Sequence, residues 1–365
     1  MITGADEYPF HQTPDPIAFA GTDRNFYDRF FFNGYNHDGS VFFAVAFGVY
    51  PQLGIMDGAV SILKDGRQRN LRVSRRMQGN RANLCVGPLK ITIGEPLVSS
   101  TLTLDDNEAG VAFHLEFTAR HAPIEEPRFT RRIGTRAFMD YSRMTQNVAW
   151  SGKITCDGET IAISPDAFVG TRDRSWGVRP VGAPDTQPPS QGALPQFFWF
   201  WSPCNFDDAV AFSHTNDDGY GRPWNRRAGL TVLGEDPVEF DDVEYDYEWA
   251  QGSRRIARLT TSMRTEGREA RLVFTPRQNF YMSGLGYTHP EWGHGRDHGD
   301  YRFAHDDMNT AECSEHDPLY LHIQALSDVE LHYRDTVRKG VGVMEQLFIG
   351  PHEPSGFGEG LSIVE

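Results

Sequence analysis

Apolar side chains fall at every second position through stretch after stretch of this chain, and that period leaves little room for anything but β-structure. Val111, Phe113, Leu115 and Phe117 alternate with Ala112, His114, Glu116 and Thr118, the pattern of a strand buried on one face. Asp105 to Gly110 supplies a hairpin turn from Leu102–Leu104 into that strand. Residues 59–63 and 71–74 flank Lys64-Asp65-Gly66-Arg67 as a second hairpin, and the unbroken run Val41 to Phe47 predicts a strand covered on both faces. The second half has the same character. There Val243, Tyr245, Tyr247 and Trp249 alternate with acidic residues, and turns at 251–253 and 265–267 lead into 255–264 and 270–274. No βαβ rhythm and no long amphipathic helix interrupts. Short strands at hairpin spacing form meanders, which close as barrels or sandwiches.

At 365 residues the chain exceeds what one hydrophobic core usually supports. The Pro- and Gly-rich stretch 181–195 reads as a connection, so the expected domains are 1–185 and 186–365. The expected fold is all-β, two antiparallel barrel domains packed with a cleft between them that holds a hydrophobic small molecule. The 25 Phe, 13 Tyr and 7 Trp supply apolar area suited to that role. A formal charge of −15 opposes binding to nucleic acid or to an anionic lipid surface. Four scattered cysteines without a C-x-x-C pair indicate thiols in a reducing compartment. The amino terminus lacks a basic start and an apolar stretch, and no run is long enough to span a membrane. The expected setting is therefore the cytoplasm, and a homodimer is compatible with all of this.

Several chemistries lack their signatures. There is no G-x-S-x-G, no H-E-x-x-H and no G-x-x-x-x-G-K-[ST]. The glycines at 284, 286, 356 and 358 lack the spacing of a dinucleotide fingerprint, so no cofactor is expected.

Two polar clusters remain. In Gly170 to Arg179, Asp173 sits between Arg172 and Arg174. Such a carboxylate should stay ionised and suit proton transfer or charge stabilisation; alternatively, the ions pin the loop while Trp176 plugs a core. The second cluster, 281–298, holds Tyr281, Tyr287, His289, Trp292 and His294. Histidine titrates nearest neutrality, which makes His289 and His294 candidates for the mobile proton. Ordinary surface or core histidines are the competing reading. A metal on His289, Glu291 and His294 is a further alternative, but their spacing matches no known pattern, and no metal is expected. Tyr27, Tyr35 and His37, with Trp199 in the aromatic run 197–201, combine ring faces with hydrogen-bonding tips. They are candidate substrate contacts along with Trp176, Tyr281, Tyr287 and Trp292, or else simply core.

Gln146, the run Trp150 to Ile154, Asp157-Gly158-Glu159 and the block Arg172 to Arg179 resemble the AttH-like and carotenoid 1,2-hydratase (hydroxyneurosporene synthase) superfamily. The segment Gly286 to Gly295 is similar to a motif in a bacterial branch of that group. The resemblance implies two lipocalin-like barrels and chemistry without redox cofactors: hydration of polyene ends, or pericyclic cyclisation. The histidine-rich segment departs from the hydratase pattern. The resulting expectation is a cofactor-independent lyase or hydratase on a terpenoid, polyene or aromatic molecule. His289 and His294 would move the proton, and Asp173 and Arg172 would orient them. A non-catalytic carrier and a pericyclic isomerase or cyclase are the alternatives.

Overall fold

The alternation just described becomes 23 strands in the computed structural model, which describes residues 8–11, 14–19, 21–187 and 196–363. Strand makes up 60% of the chain. Among the described residues there is no α-helix, only short 3-10 turns such as Met282–Leu285 and Glu353–Ser355.

The first sheet is built from β1 (Phe26–Asn36), β2 (Val41–Tyr50), β3 (Ile55–Lys64), β4 (Arg67–Arg76), β5 (Cys85–Val86), β6 (Leu89–Ile93), β7 (Ser99–Leu104), β8 (Val111–Ala119), β9 (Ile124–Glu125), β10 (Phe129–Ile133), β11 (Arg136–Cys156), β12 (Glu159–Ile163) and β13 (Phe168–Val178). The second takes β14 (Phe197–Phe206), β15 (Ala209–Asp217), β16 (Pro223–Val232), β17 (Val238–Phe240), β18 (Asp242–Trp249), β19 (Ile256–Thr265) and β20 (Arg268–Tyr281). The chain then returns β21 (Tyr301–Asn309) to the edge of the first sheet, beside β4, before β22 (Ile323–Tyr333) and β23 (Thr336–Ile349) complete the second. The first sheet runs β21-β4-β3-β2-β1-β13-β11-β8-β7-β6-β5, and the second β17-β16-β15-β14-β23-β22-β20-β19-β18. One sheet nearly closes as a barrel and the other curls into a half-barrel; both are lipocalin-like.

Two compact units result. Unit 1 comprises Met1–Gly34, Phe43–Gln191 and Gly284–Met308; unit 2 comprises Tyr35–Phe42, Gly192–Ser283 and Asn309–Glu365. The histidine-rich segment thus groups with unit 1, because β21 pairs with β4. Of the connection at 181–195, residues 188–195 lie outside the described residues. Its first part is tied down within unit 1, where Gly182 N donates to His294 O at 2.7 Å and Arg24 bonds Asp185 at 2.9 Å.

In unit 1 the core is centred on Trp150, fully buried, with Phe43, Phe117 and Phe32 meeting its ring edge to face at 5.1, 5.8 and 6.2 Å. Its indole donates to Asn33 O at 2.9 Å, so the one polar atom of a large apolar group is satisfied. Gly170 permits this approach, since a Cβ there would lie 2.0 Å from Asn33 O. In unit 2, Phe200 meets Tyr245 at 5.5 Å and Phe198 meets Tyr247 at 5.9 Å. Four strands separate β14 from β18 in the sheet order, so these contacts cross the inside of a curled sheet.

Candidate functional site

One cluster in unit 1 brings Tyr27, Arg29, Asp57, Arg179 and His294 together. On β1 the two-residue period turns Tyr27 and Arg29 the same way. From β3, Asp57 is the one carboxylate of the strand. The segment 284–296 brings in His294, and Gly286 makes that path possible: its φ is +91°, and a Cβ there would fall 2.5 Å from Trp292 O.

Nε2 of His294 lies 3.0 Å from Leu285 O and 2.6 Å from Arg29 Nη1; in the tautomer protonated at Nε2 the ring donates to Leu285 O and leaves Nδ1 as the acceptor. Arg179 Nη2 reaches Nδ1 at 3.1 Å and Arg29 Nη1 at 2.5 Å. The ring also meets Tyr287 edge-on at 4.4 Å, with the Arg29 guanidinium 4.9 Å from the Tyr287 centroid. Beside it, Asp57 accepts from Gly295 N at 2.7 Å and from the Tyr50 hydroxyl at 3.2 Å. Burial raises the pKa of Asp57, against the opposing pull of the Gly295 amide and Arg29. Burial likewise pushes Tyr27 up to about 12, despite the Arg179 guanidinium 4.6 Å from its ring centroid. Tyr27 therefore remains a phenol at neutral pH. Arg29, Asp57, Arg72, Trp292, His294 and His298 border a crevice of about 10 Å³, room for a single water.

Through Tyr27 the cluster continues toward Asp173: the Tyr27 phenol is hydrogen-bonded to Ser175, two residues along the same face from Asp173. Asp173 accepts from Arg143 Nη2 at 3.0 Å, and Arg143 Nε lies 3.4 Å from Glu126. The sequence expectation that Arg172 and Arg174 flank this carboxylate needs correction. Strand alternation turns both to the other face, where Arg172 donates to Gln146 at 2.8 Å and lies over Phe117 at 5.1 Å, while Arg174 bonds Asp28 at 2.6 Å. Burial lowers Arg172 to about 10, so it stays charged at neutral pH, and its Nη2 has no hydrogen-bond partner among the described residues. Arg172 thus does not orient the His294 ring.

His289 stands apart from His294. Its Nδ1 accepts the amides of Glu291 and Trp292 at 3.2 and 3.0 Å, closing a turn, and burial lowers its pKa. Glu291 pairs with Arg302 at 2.6 Å, and among the described residues no three His, Cys, Asp or Glu groups are placed to hold a metal ion. Trp292 is buried, stacked on His298 at 4.1 Å, whereas Trp176 is 42% exposed. The other candidates belong to unit 2. Tyr35 is buried and accepts from Asn205 at 3.2 Å; His37 is exposed, and its carbonyl takes Arg277 at 3.0 Å. Trp199 donates to the buried Glu345 at 2.8 Å, and Tyr281 packs on Tyr320 at 5.6 Å. Sequence reading missed Arg29, Tyr50, Asp57 and Arg179. Asp57 left a signal, a lone carboxylate within Ile55-Met56-Asp57-Gly58-Ala59-Val60.

Among solved structures, the chain is similar to a protein of Nitrosomonas europaea described as a candidate AttH, at 14% identity and a TM-score of 0.51, over 93% of this chain and 98% of that one. It is also similar to CghA crystallised with Sch210972, at 10% identity and a TM-score of 0.50, over 89% of each chain. CghA without that compound gives the same identity and score. These likenesses establish an AttH-like fold. No helix among the described residues is long and apolar enough to cross a membrane. No curated protein matches the sequence. A model of the family of unknown function DUF8625 matches residues 2–358, and the chain belongs to that family.

Proposed function

We propose that the protein is a cofactor-independent acid–base enzyme, a lyase or hydratase, acting on a hydrophobic terpenoid, polyene or aromatic molecule in the cytoplasm. The observation that carries this reading is the pairing of an imidazole that can accept at Nδ1 with a half-buried carboxyl whose pKa burial raises, at a crevice sized for one water. His294 would take a proton from water or from a substrate hydroxyl, and Asp57 would return one. Arg29 and Arg179 would shift from Nδ1 onto an oxygen that gains negative charge, which frees the base as substrate arrives. Asp173 would hold the Tyr27 side of the cluster in place. Tyr287 and Trp292 would offer ring faces, and the segment 284–300 would have to move to admit anything larger than water. A polyene end, as in the carotenoid hydratases that the sequence resembles, is one member of this substrate class.

A pericyclic isomerase or cyclase is the second reading, favoured by the likeness to CghA bound to Sch210972. One experiment separates the possibilities. Incubation with a panel of terpenoids, polyenes and aromatic alcohols, followed by mass spectrometry coupled to chromatography, should give a product that differs from its substrate by one water or by a cleaved fragment. A product of unchanged mass and altered retention would favour the cyclase. Ligand retained without any conversion would leave a carrier.

A further inference from the structure

Unit 2 contains a nucleophile, a base and an orienting carboxylate that the chemistry at His294 does not use. His352, Ser355 and Asp217 come together where the chain leaves β23. His352 Nδ1 lies 2.8 Å from Ser355 Oγ, and His352 Nε2 lies 3.5 Å from Asp217 Oδ2. The first distance is a formed hydrogen bond; the second is too long for one, and Nε2 has no hydrogen-bond partner among the described residues, so the Asp217 contact is electrostatic and has to tighten when substrate binds. His352 and Asp217 are 3% and 5% exposed, while Ser355 is half-buried and reachable from solvent.

The imidazole is held firmly. Its ring stacks on Phe198 at 4.0 Å, and the His352 backbone exchanges two hydrogen bonds with Phe357, at 3.0 and 3.1 Å. Asp217 is fixed in turn by the Thr215 hydroxyl at 2.5 Å. Ser355 closes the 3-10 turn that begins after His352, and Gly356 leaves it with φ of 65°, so the hydroxyl is presented from a tight bend. Nucleophile beside base, and base beside a carboxylate, is the arrangement that activates a serine, whatever fold carries it.

We propose that Ser355, His352 and Asp217 form an acyl-transfer site separate from the His294 cluster. Ser355 Oγ attacks the carbonyl carbon of an acyl donor while His352 Nδ1 takes the hydroxyl proton. The C–O or C–S bond to the leaving group breaks, and the proton passes from Nδ1 to the departing alkoxide or thiolate. Water then attacks the acyl-serine by the same route and releases the acid. The nearby amide of Gly356 is committed to Glu353 O and that of Phe357 to His352 O, which leaves neither to stabilise an oxyanion. The donors must therefore carry good leaving groups: small aryl esters or thioesters rather than amides.

The test uses the full-length protein with a fluorophosphonate probe and with 4-nitrophenyl acetate. Peptide mapping should place one phosphonyl adduct on Ser355, and Ser355→Ala should abolish both adduct and ester turnover. Asp217→Asn should slow labelling by about 10²–10⁴-fold, the range for disabling a general base, with an unchanged circular dichroism spectrum. His294→Asn should leave labelling unchanged, which keeps this result independent of the reading for unit 1. An adduct elsewhere, no adduct on folded protein, or equal ester turnover in Ser355→Ala would each overturn the proposal and leave Ser355 as a turn-closing hydroxyl.

Discussion

Asp57 is a carboxyl that burial shifts away from its ordinary titration. A carboxyl whose pKa is raised by burial binds its proton more tightly in the folded state than in the unfolded one. It therefore contributes stability below the ordinary aspartate value of about 4, and that contribution is lost as pH rises through the raised value. Asp57→Asn removes the titration. The melting temperature of the wild type relative to this variant should accordingly fall as pH rises from about 4 through the raised value, as followed by differential scanning calorimetry. A difference that stays flat or widens in favour of the wild type would contradict the assignment. Arg172 offers a second test, because it is a buried guanidinium whose contacts among the described residues are a neutral amide and a ring. Replacing a poorly compensated buried charge by an apolar group of similar length is often neutral or stabilising. Arg172→Met should leave the melting temperature unchanged or raise it, and a fall of several degrees would show that the charge has a partner of greater worth.

At the scale of elements, the two-residue period explains both what could be read from the sequence and what could not. The hairpins 102–117 and 59–74 form with Leu104 opposite Phe113 and Lys64 opposite Arg67, because alternation and turn residues are local properties. The run Val41 to Phe47 is buried throughout, as an unbroken apolar strand requires. Neighbours in sequence were a poor guide to neighbours in space for the same reason. Alternation sends Arg172 and Arg174 to the face opposite Asp173, whose true partner, Arg143, lies 30 residues away on β11. Likewise His294 depends on Arg29, 265 residues distant, and no local spacing encodes that meeting. His289 and His294, five residues apart, divide into a turn cap and a half-buried imidazole between two arginines because the chain bends at Gly286. Close approach of β13 to β1 rests on Gly170. Gly170→Ala should destabilise unit 1 by about 1–3 kcal/mol through overpacking against Asn33 O, measurable by urea unfolding, and a cost below a few tenths would mean that the strands can part without loss.

At the scale of the whole molecule, the two lipocalin-like sheets were legible from the meander pattern and from the Arg172 to Arg179 block. The membership of 284–308 in unit 1 was not, since it depends on β21 returning to the edge beside β4. That return brings His294 to Arg29, Asp57 and Arg179, and with it the chemistry proposed for the protein. Proton transfer by His294 is tested by single-turnover conversion and ligand affinity in wild type and His294→Asn on the substrate found by mass spectrometry. Conversion should fall by about 10²–10⁴-fold while affinity changes by less than about tenfold. Conversion within about threefold of wild type at unchanged affinity would contradict acid–base catalysis by this residue.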